Sequence, residues 1–213
     1  IRDSIWEGGN AAYVNAIRMG GAAPHLGLML TKGAVKSYEV WERGRKKANS
    51  HYRGIITLNL PNIILKPNES YSAAWTLFTH KGNEDFKRKL LERGGVLVSC
   101  DKYVYQKGET VRMEVKSDFP LKNCKAQMNG SPVSVRKDNG KYVVETTLMH
   151  PGEVRLDFFY NGSKRTHADL LVVDNEMELL RKRVDFIRTH QQMNNAADPR
   201  YGAYMVYDNE GDS

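Results

Sequence analysis

The sequence predicts a mainly β protein with one complete small sandwich at its centre and a helix near its C-terminus. Three observations predict it. Asn129-Gly130, Asn139-Gly140 and Asn161-Gly162 divide residues 96–174, and His150-Pro151-Gly152 adds a fourth break. Asn-Gly is a strong short hairpin signal, because both central residues of a type I′ turn need positive φ. Between the breaks, Tyr142–Leu148 and Val154–Tyr160 alternate apolar and polar residues as half-buried strands do. Further on, Met177, Leu180, Val184 and Ile187 recur at helical spacing, with Leu179 and Phe186 widening the stripe.

The elements follow in chain order. Gly8-Gly9 and Gly20-Gly21 read as turns in a Gly-rich opening. Pro24–Leu30 and Val35–Trp41 read as strands on either side of a turn at Lys32-Gly33. Arg53–Pro61 is a third strand, and Ile63–Leu65 ends a fourth before a Pro67-Asn68 turn. Ser72–His80 is the fifth, with Trp75 expected in the core. Strands this apolar need cover on both faces. Five of them are few for a closed fold, so part of the unit is expected to lie N-terminal to this chain. A short helix follows, with Asn83 as its cap, Glu84 and Asp85 at its positive end, Phe86, Leu90 and Leu91 on one face, and Gly94-Gly95 as its stop. It reads as a connector. The last third opens with the amphipathic helix, whose apolar stripe is expected to be buried against a protein surface.

Composition narrows the function classes. The 213 residues are 40% hydrophobic and 27% charged, which suits a soluble globular protein. No apolar run approaches the roughly 18 residues of a membrane span. The net charge of +7 is concentrated in residues 1–95, with a cluster at Arg43, Arg45, Lys46 and Lys47. Nucleic-acid binding would call for a broader basic face and a recognisable module, and neither is seen. Cys100 and Cys124 form no C-x-x-C pair and read as small apolar residues. The six histidines are scattered without metal-ligand spacing, so no metal and no cofactor are expected.

The run Asp101-Lys102-Tyr103-Val104-Tyr105-Gln106-Lys107-Gly108-Glu109-Thr110-Val111 and the later Asp138-Asn139-Gly140-Lys141-Tyr142 resemble bacterial immunoglobulin-like domains. The wider order adds to this. A β-rich unit ends in Pro67-Asn68-Glu69-Ser70-Tyr71 and Ala74-Trp75-Thr76-Leu77-Phe78. The helix, the sandwich, a second helix and Asp198-Pro199-Arg200-Tyr201-Gly202-Ala203-Tyr204 come next, then Tyr207-Asp208-Asn209-Glu210. The whole resembles large bacterial carbohydrate-active proteins of a six-hairpin-glycosidase-like family. That resemblance implies the end of a galactose-mutarotase-like β super-sandwich over residues 1–82 and a helical connector over 83–95. It implies an immunoglobulin-like β-sandwich over 96–174 and the opening of an (α/α) toroid over 175–213. It also implies a secreted or periplasmic protein whose partner is a polysaccharide or oligosaccharide. The expected activity is glycoside hydrolysis by the larger protein, with this portion non-catalytic. A polysaccharide lyase and a purely carbohydrate-binding or structural module are the alternatives.

The candidate substrate-binding residues lie mostly at the C-terminus. Asp208, Asn209 and Glu210 crowd carboxylates together, but glycosidic cleavage needs two carboxyls roughly 5–10 Å apart across one bond. At most one of these would be catalytic; the other reading is a solvated acidic loop. Arg200, Tyr201 and Tyr204 could line a sugar subsite. Aromatic rings stack on apolar sugar faces, and Arg can grip a uronate carboxylate with two bonds. Packing aromatics and a surface Arg are the alternative. Trp41, beside Glu42 and the basic cluster, is the tryptophan best placed to meet a ligand.

Overall fold

The structure is a computed structural model, and it describes residues 2–6, 8–41 and 55–204. It is mainly β. Four strands form the first sheet: β1 (Arg2–Trp6), β2 (Tyr13–Ile17), β3 (His25–Lys32) and β6 (Ala74–His80), in the order β1-β2-β3-β6 and antiparallel throughout. β4 (Ser37–Trp41) and β5 (Ile55–Asn59) pair as a separate hairpin. The basic cluster at Arg43, Arg45, Lys46 and Lys47 lies outside the described residues.

Ile63–Leu65 is not a strand. Pro61 and Pro67 flank it, it has no neighbouring strand to pair with, and Ile64 is 93% exposed. Proline removes ladder donors at both ends, so an apolar run alone does not make a strand here.

Helix α1 (Asn83–Glu92) covers one face of the first sheet. Phe86 and Leu90 pack with Met29 and Phe78. Gly27 permits this approach: a Cβ there would lie 2.5 Å from Phe78 Cζ and 2.9 Å from Phe86 Cε2. The helix is therefore part of the first unit's core as well as a connector. Its cap differs from expectation. Gly82 is the N-cap residue, and the Asp85 carboxylate accepts from the Lys81 amide at 2.9 Å. Asn83 falls inside the helix, where its side-chain oxygen takes another partner. The opposite face of the sheet is covered at one end only, where Leu58 and Trp75 pack on Ala12, Leu30 and Val35. Further along it Leu26 and Leu77 are 50% and 66% exposed, so cover on both faces is incomplete among the described residues.

The middle of the chain is an immunoglobulin-like β-sandwich. One sheet has the order β12-β13-β9-β7, from β7 (Leu97–Cys100), β9 (Thr110–Lys116), β12 (Val135–Asp138) and β13 (Lys141–Thr147). The other has the order β11-β10-β14-β15-β8, from β8 (Val104–Gln106), β10 (Lys125–Met128), β11 (Ser131–Val133), β14 (Gly152–Tyr160) and β15 (Lys164–Val173). The chain changes sheet between β7 and β8, and β8 then runs parallel to β15. All three Asn-Gly pairs make the hairpins expected of them, with both residues of each pair at positive φ. Alternation drives the packing. Val111, Met113 and Val115 of β9 face Leu156 and Phe158 of β14, all fully buried, in one core. Each large side chain buried this way contributes roughly 1.5–3 kcal/mol.

The core does not stop at the sandwich. Ala11 belongs to it and Trp6 packs against it. Gly9 makes the junction possible. It sits at φ +61, its carbonyl accepts from the Val35 amide at 2.9 Å, and a Cβ would stand 2.8 Å from the Arg165 carbonyl oxygen.

Helix α2 (Glu176–Phe186) starts where Asn175 Oδ1 accepts from the Met177 amide at 2.9 Å, and it runs into a π-helical turn over Ile187–Gln191. The expected burial of its stripe is not found. No residue of α2 is buried, and Met177 and Val184 are 59% and 60% exposed. Nothing among the described residues packs over it: the sandwich faces are already satisfied by their own strands.

Candidate functional site

The C-terminal candidates separate in the structure. Gln192 and Tyr204 form an antiparallel bridge, and the Met193 amide donates to the Ala203 carbonyl at 2.9 Å, so residues 192–204 close into a loop. Arg200 turns back onto Asp198, with Nε to Oδ1 at 3.0 Å and Nη2 to Oδ2 at 2.9 Å. That guanidinium holds the Asp198 carboxyl down at about 2. Tyr201 and Tyr204 are exposed. Trp41 closes β4, paired with Ile55, far along the chain from this loop. Asp208, Asn209 and Glu210 lie outside the described residues. Among the described residues, then, the candidates supply one ion-paired Arg and two open aromatic rings, and no enclosed pocket.

A better-formed cleft lies elsewhere, and sequence reasoning missed it. It has a volume of about 400 Å³ and opens where the first turn of α1 meets β2 on one side and the outer face of the β7–β9 sheet on the other. Strand geometry aims its walls. Tyr13 and Asn15 are two residues apart on β2 and so share the face toward α1. Leu97 pairs with Lys116 and Ser99 with Glu114, so those side chains stand in two adjacent rows outside the sandwich core. Lys141, at the start of β13, completes that wall.

Asn15 is the unusual residue in the cleft. It is a polar side chain in a strand, 6% exposed. Its Nδ2 donates to Asn83 Oδ1 at 3.0 Å, while its own Oδ1 has no partner. Leaving a buried acceptor unmet costs roughly 1–3 kcal/mol. Tyr13 stacks near Trp6, with ring centroids 6.4 Å apart, and tilts against Phe86 at 5.4 Å. Burial first, and nearby Tyr103 second, push the Tyr13 hydroxyl up to about 12, so it stays protonated at neutral pH.

The charges of the cleft are mostly paired. Lys141 Nζ meets Glu114 Oε2 at 2.5 Å, and Lys87 Nζ meets Glu84 Oε1 at 2.8 Å. Lys141 first, then Arg112, hold the Glu114 carboxyl below the usual range. Lys116 makes no ion pair among the described residues. The cleft thus offers an aromatic edge, an open amide oxygen and one uncommitted cation. It can bind; it has no acid–base pair poised for proton transfer.

A second, shallower hollow is bordered by Tyr103, His167, Asp169 and Arg155. Arg155 holds Asp169 with two bonds, at 2.6 and 2.8 Å, and His167 Nε2 lies 3.6 Å from the same carboxylate. These groups are spent on one another. Among the described residues no group of three or more His, Cys, Asp or Glu side chains is gathered as metal ligands would be.

Against known proteins, no protein-family profile and no curated sequence matches the chain. A solved structure of a polysaccharide lyase does. It is 62% identical, the match covers 99% of this chain and 32% of that one, and the TM-score is 0.86. This chain therefore spans about a third of the lyase's length, and over that third the two share a fold. A tandem of titin domains also matches, at 10% identity and a TM-score of 0.29, and carries no argument.

Proposed function

We propose that this chain is a non-catalytic, β-rich portion of a secreted or periplasmic polysaccharide lyase. The observation that carries the proposal is the 62% identity to a polysaccharide lyase across 99% of the chain. That similarity favours the lyase alternative over glycoside hydrolysis, the activity expected from the sequence. In this reading residues 1–82 close a β super-sandwich, 83–95 connect, 96–174 are the immunoglobulin-like spacer, and 175–213 open a helical toroid. Arg200, Tyr201, Tyr204, Trp41, Asp208, Asn209 and Glu210 are kept as candidate sugar contacts.

The chemistry supports the non-catalytic assignment. A lyase removes the proton α to a uronate carboxylate with a Tyr or His base, while Arg or a cation neutralises the acid. The bond to the leaving sugar then breaks and leaves a double bond in the uronate ring. Among the described residues, Arg200 is tied to Asp198 and Arg155 to Asp169, so neither guanidinium is open for that carboxylate.

The test uses the full-length protein that carries this sequence, incubated with uronate-containing and neutral polysaccharides. Products are followed by the ultraviolet absorbance of the unsaturated uronate and by reducing ends. Both signals should rise together on a uronate polymer. Reducing ends without the chromophore would return the hydrolase reading, and neither signal on any polymer would leave a binding or structural module.

A further inference from the structure

We propose that the cleft between β2, α1 and the β7–β9 sheet is a binding site for an acidic saccharide. The class of ligand rests on the polysaccharide reading above, and the site itself rests on geometry. Asn15 Oδ1 is a buried acceptor with no partner, on a side chain that lines the cleft. A hydroxyl donor entering there would recover a hydrogen bond that the empty protein forgoes. Sugars present such donors around their whole edge. They also present an apolar C–H face, which the Tyr13 ring and Leu97 can receive.

The acid is selected by charge. Lys141 and Lys87 are matched by Glu114 and Glu84, and Lys116 is left over on the same wall. The first turn of α1 adds the positive end of a helix with no side-chain hydrogen bond at its cap. A carboxylate on the bound sugar would meet both. The volume of about 400 Å³ lies within the roughly 300–1,000 Å³ of small-ligand pockets.

The experiment is calorimetric titration of the 213-residue chain with tetrasaccharides from uronate polymers, each beside its carboxyl-reduced counterpart. The acidic form should bind at least about tenfold more tightly than the reduced form, the size of one charge-assisted hydrogen bond. Lys116→Gln should weaken the acidic form by a similar factor and leave the reduced form unchanged, and Lys116→Arg should restore it. Lys116 is exposed, so neither variant threatens the fold. Asn15→Leu, with its melting curve measured alongside, should weaken both forms. Equal binding of acidic and reduced sugars, or indifference to Lys116→Gln, overturns the proposal. Absence of binding overturns it too, and leaves the lyase reading standing if the full-length protein still makes unsaturated ends. Binding without unsaturated ends in the full-length protein does the reverse.

Discussion

Asn10 and Arg165 hold each other by two reciprocal hydrogen bonds. The Asn10 amide donates to the Arg165 carbonyl at 2.9 Å, and the Arg165 amide donates to Asn10 Oδ1 at 2.9 Å. Asn10 Nδ2 also reaches the Gly33 carbonyl at 2.7 Å. One side chain thus ties the first β unit to β15 of the sandwich, 155 residues away in the sequence. Asn10→Ala deletes the two side-chain bonds and leaves the Arg165 amide and Gly33 carbonyl short of partners. The expected loss is about 1–3 kcal/mol, read as a lower urea midpoint. A midpoint equal to the parent's would mean water replaces both bonds and that the junction is looser than its geometry suggests.

Gly27 is a packing requirement. Ala at this position would drive a Cβ into Phe78 and Phe86, both deep in the core beneath α1. Overpacking of this kind costs about 1–3 kcal/mol. Gly130→Ala makes the useful comparison, because nothing lies within 4 Å of a Cβ there and only its φ of +85 opposes it. Crowding predicts that near-ultraviolet circular dichroism changes for Gly27→Ala and not for Gly130→Ala. An unchanged spectrum in both would remove the steric account.

Much of the sandwich was legible because its signals are local. Asn129, Asn139 and Asn161 each sit beside the glycine that shares their turn, and strand alternation fixes which neighbours face inward. β1 and β2 were not legible. They are five residues each, separated by Gly8-Gly9, and are stabilised by pairing with one another and with β3. Ile63–Leu65 failed in the opposite direction, since an apolar run needs a partner edge to become a strand. The cleft was invisible for a topological reason. Tyr13, Asn83, Leu97, Glu114 and Lys141 come from five segments with no shared motif. The one local hint was Asn15, a polar residue in a strand at a position that faces inward.

The outer face of the β12-β13-β9 sheet carries a network that should make stability depend on pH. Arg112 reaches Glu145 at 2.5 Å, Glu114 at 3.1 Å and Asp138 at 3.2 Å, and Arg136 reaches Glu145 and Asp138. Arg112 first, then Arg136, lower the carboxyls of Glu145 and Asp138. A carboxyl depressed in the folded state stabilises above its unfolded value and loses that contribution as pH falls through the folded one. The urea midpoint should therefore drop as pH falls below about 4. In Arg112→Gln that drop should be shallower. An identical acid limb in parent and variant would show that solvent already screens the network.

Both cysteines are free thiols, and burial is the first cause that pushes each up, Cys100 to about 12. Thiolate is the reactive form, so alkylation at neutral pH should be slow at Cys100 in the folded chain and rapid in urea. Fast modification of Cys100 in the absence of denaturant would place that thiol in solvent and contradict the packing of β7 on the core.

The exposed stripe of α2 and the buried rows of the sandwich give opposite expectations for similar side chains. Val184 is 60% exposed, whereas Leu156 is fully buried among Val111, Met113 and Phe158. Leu156→Ala leaves a cavity in a closed core and should cost about 2–5 kcal/mol. Val184→Glu removes no packing among the described residues, so the unfolding midpoint should move by no more than about 0.5 kcal/mol. The same substitution breaks a stripe formed with Met177 and Leu180, and unpartnered stripes of this kind promote association. Sedimentation across a concentration series should then show less self-association for Val184→Glu than for the parent. A large loss of stability in that variant would mean that α2 is covered in solution by a surface of this chain, and the exposed helix described above would be wrong.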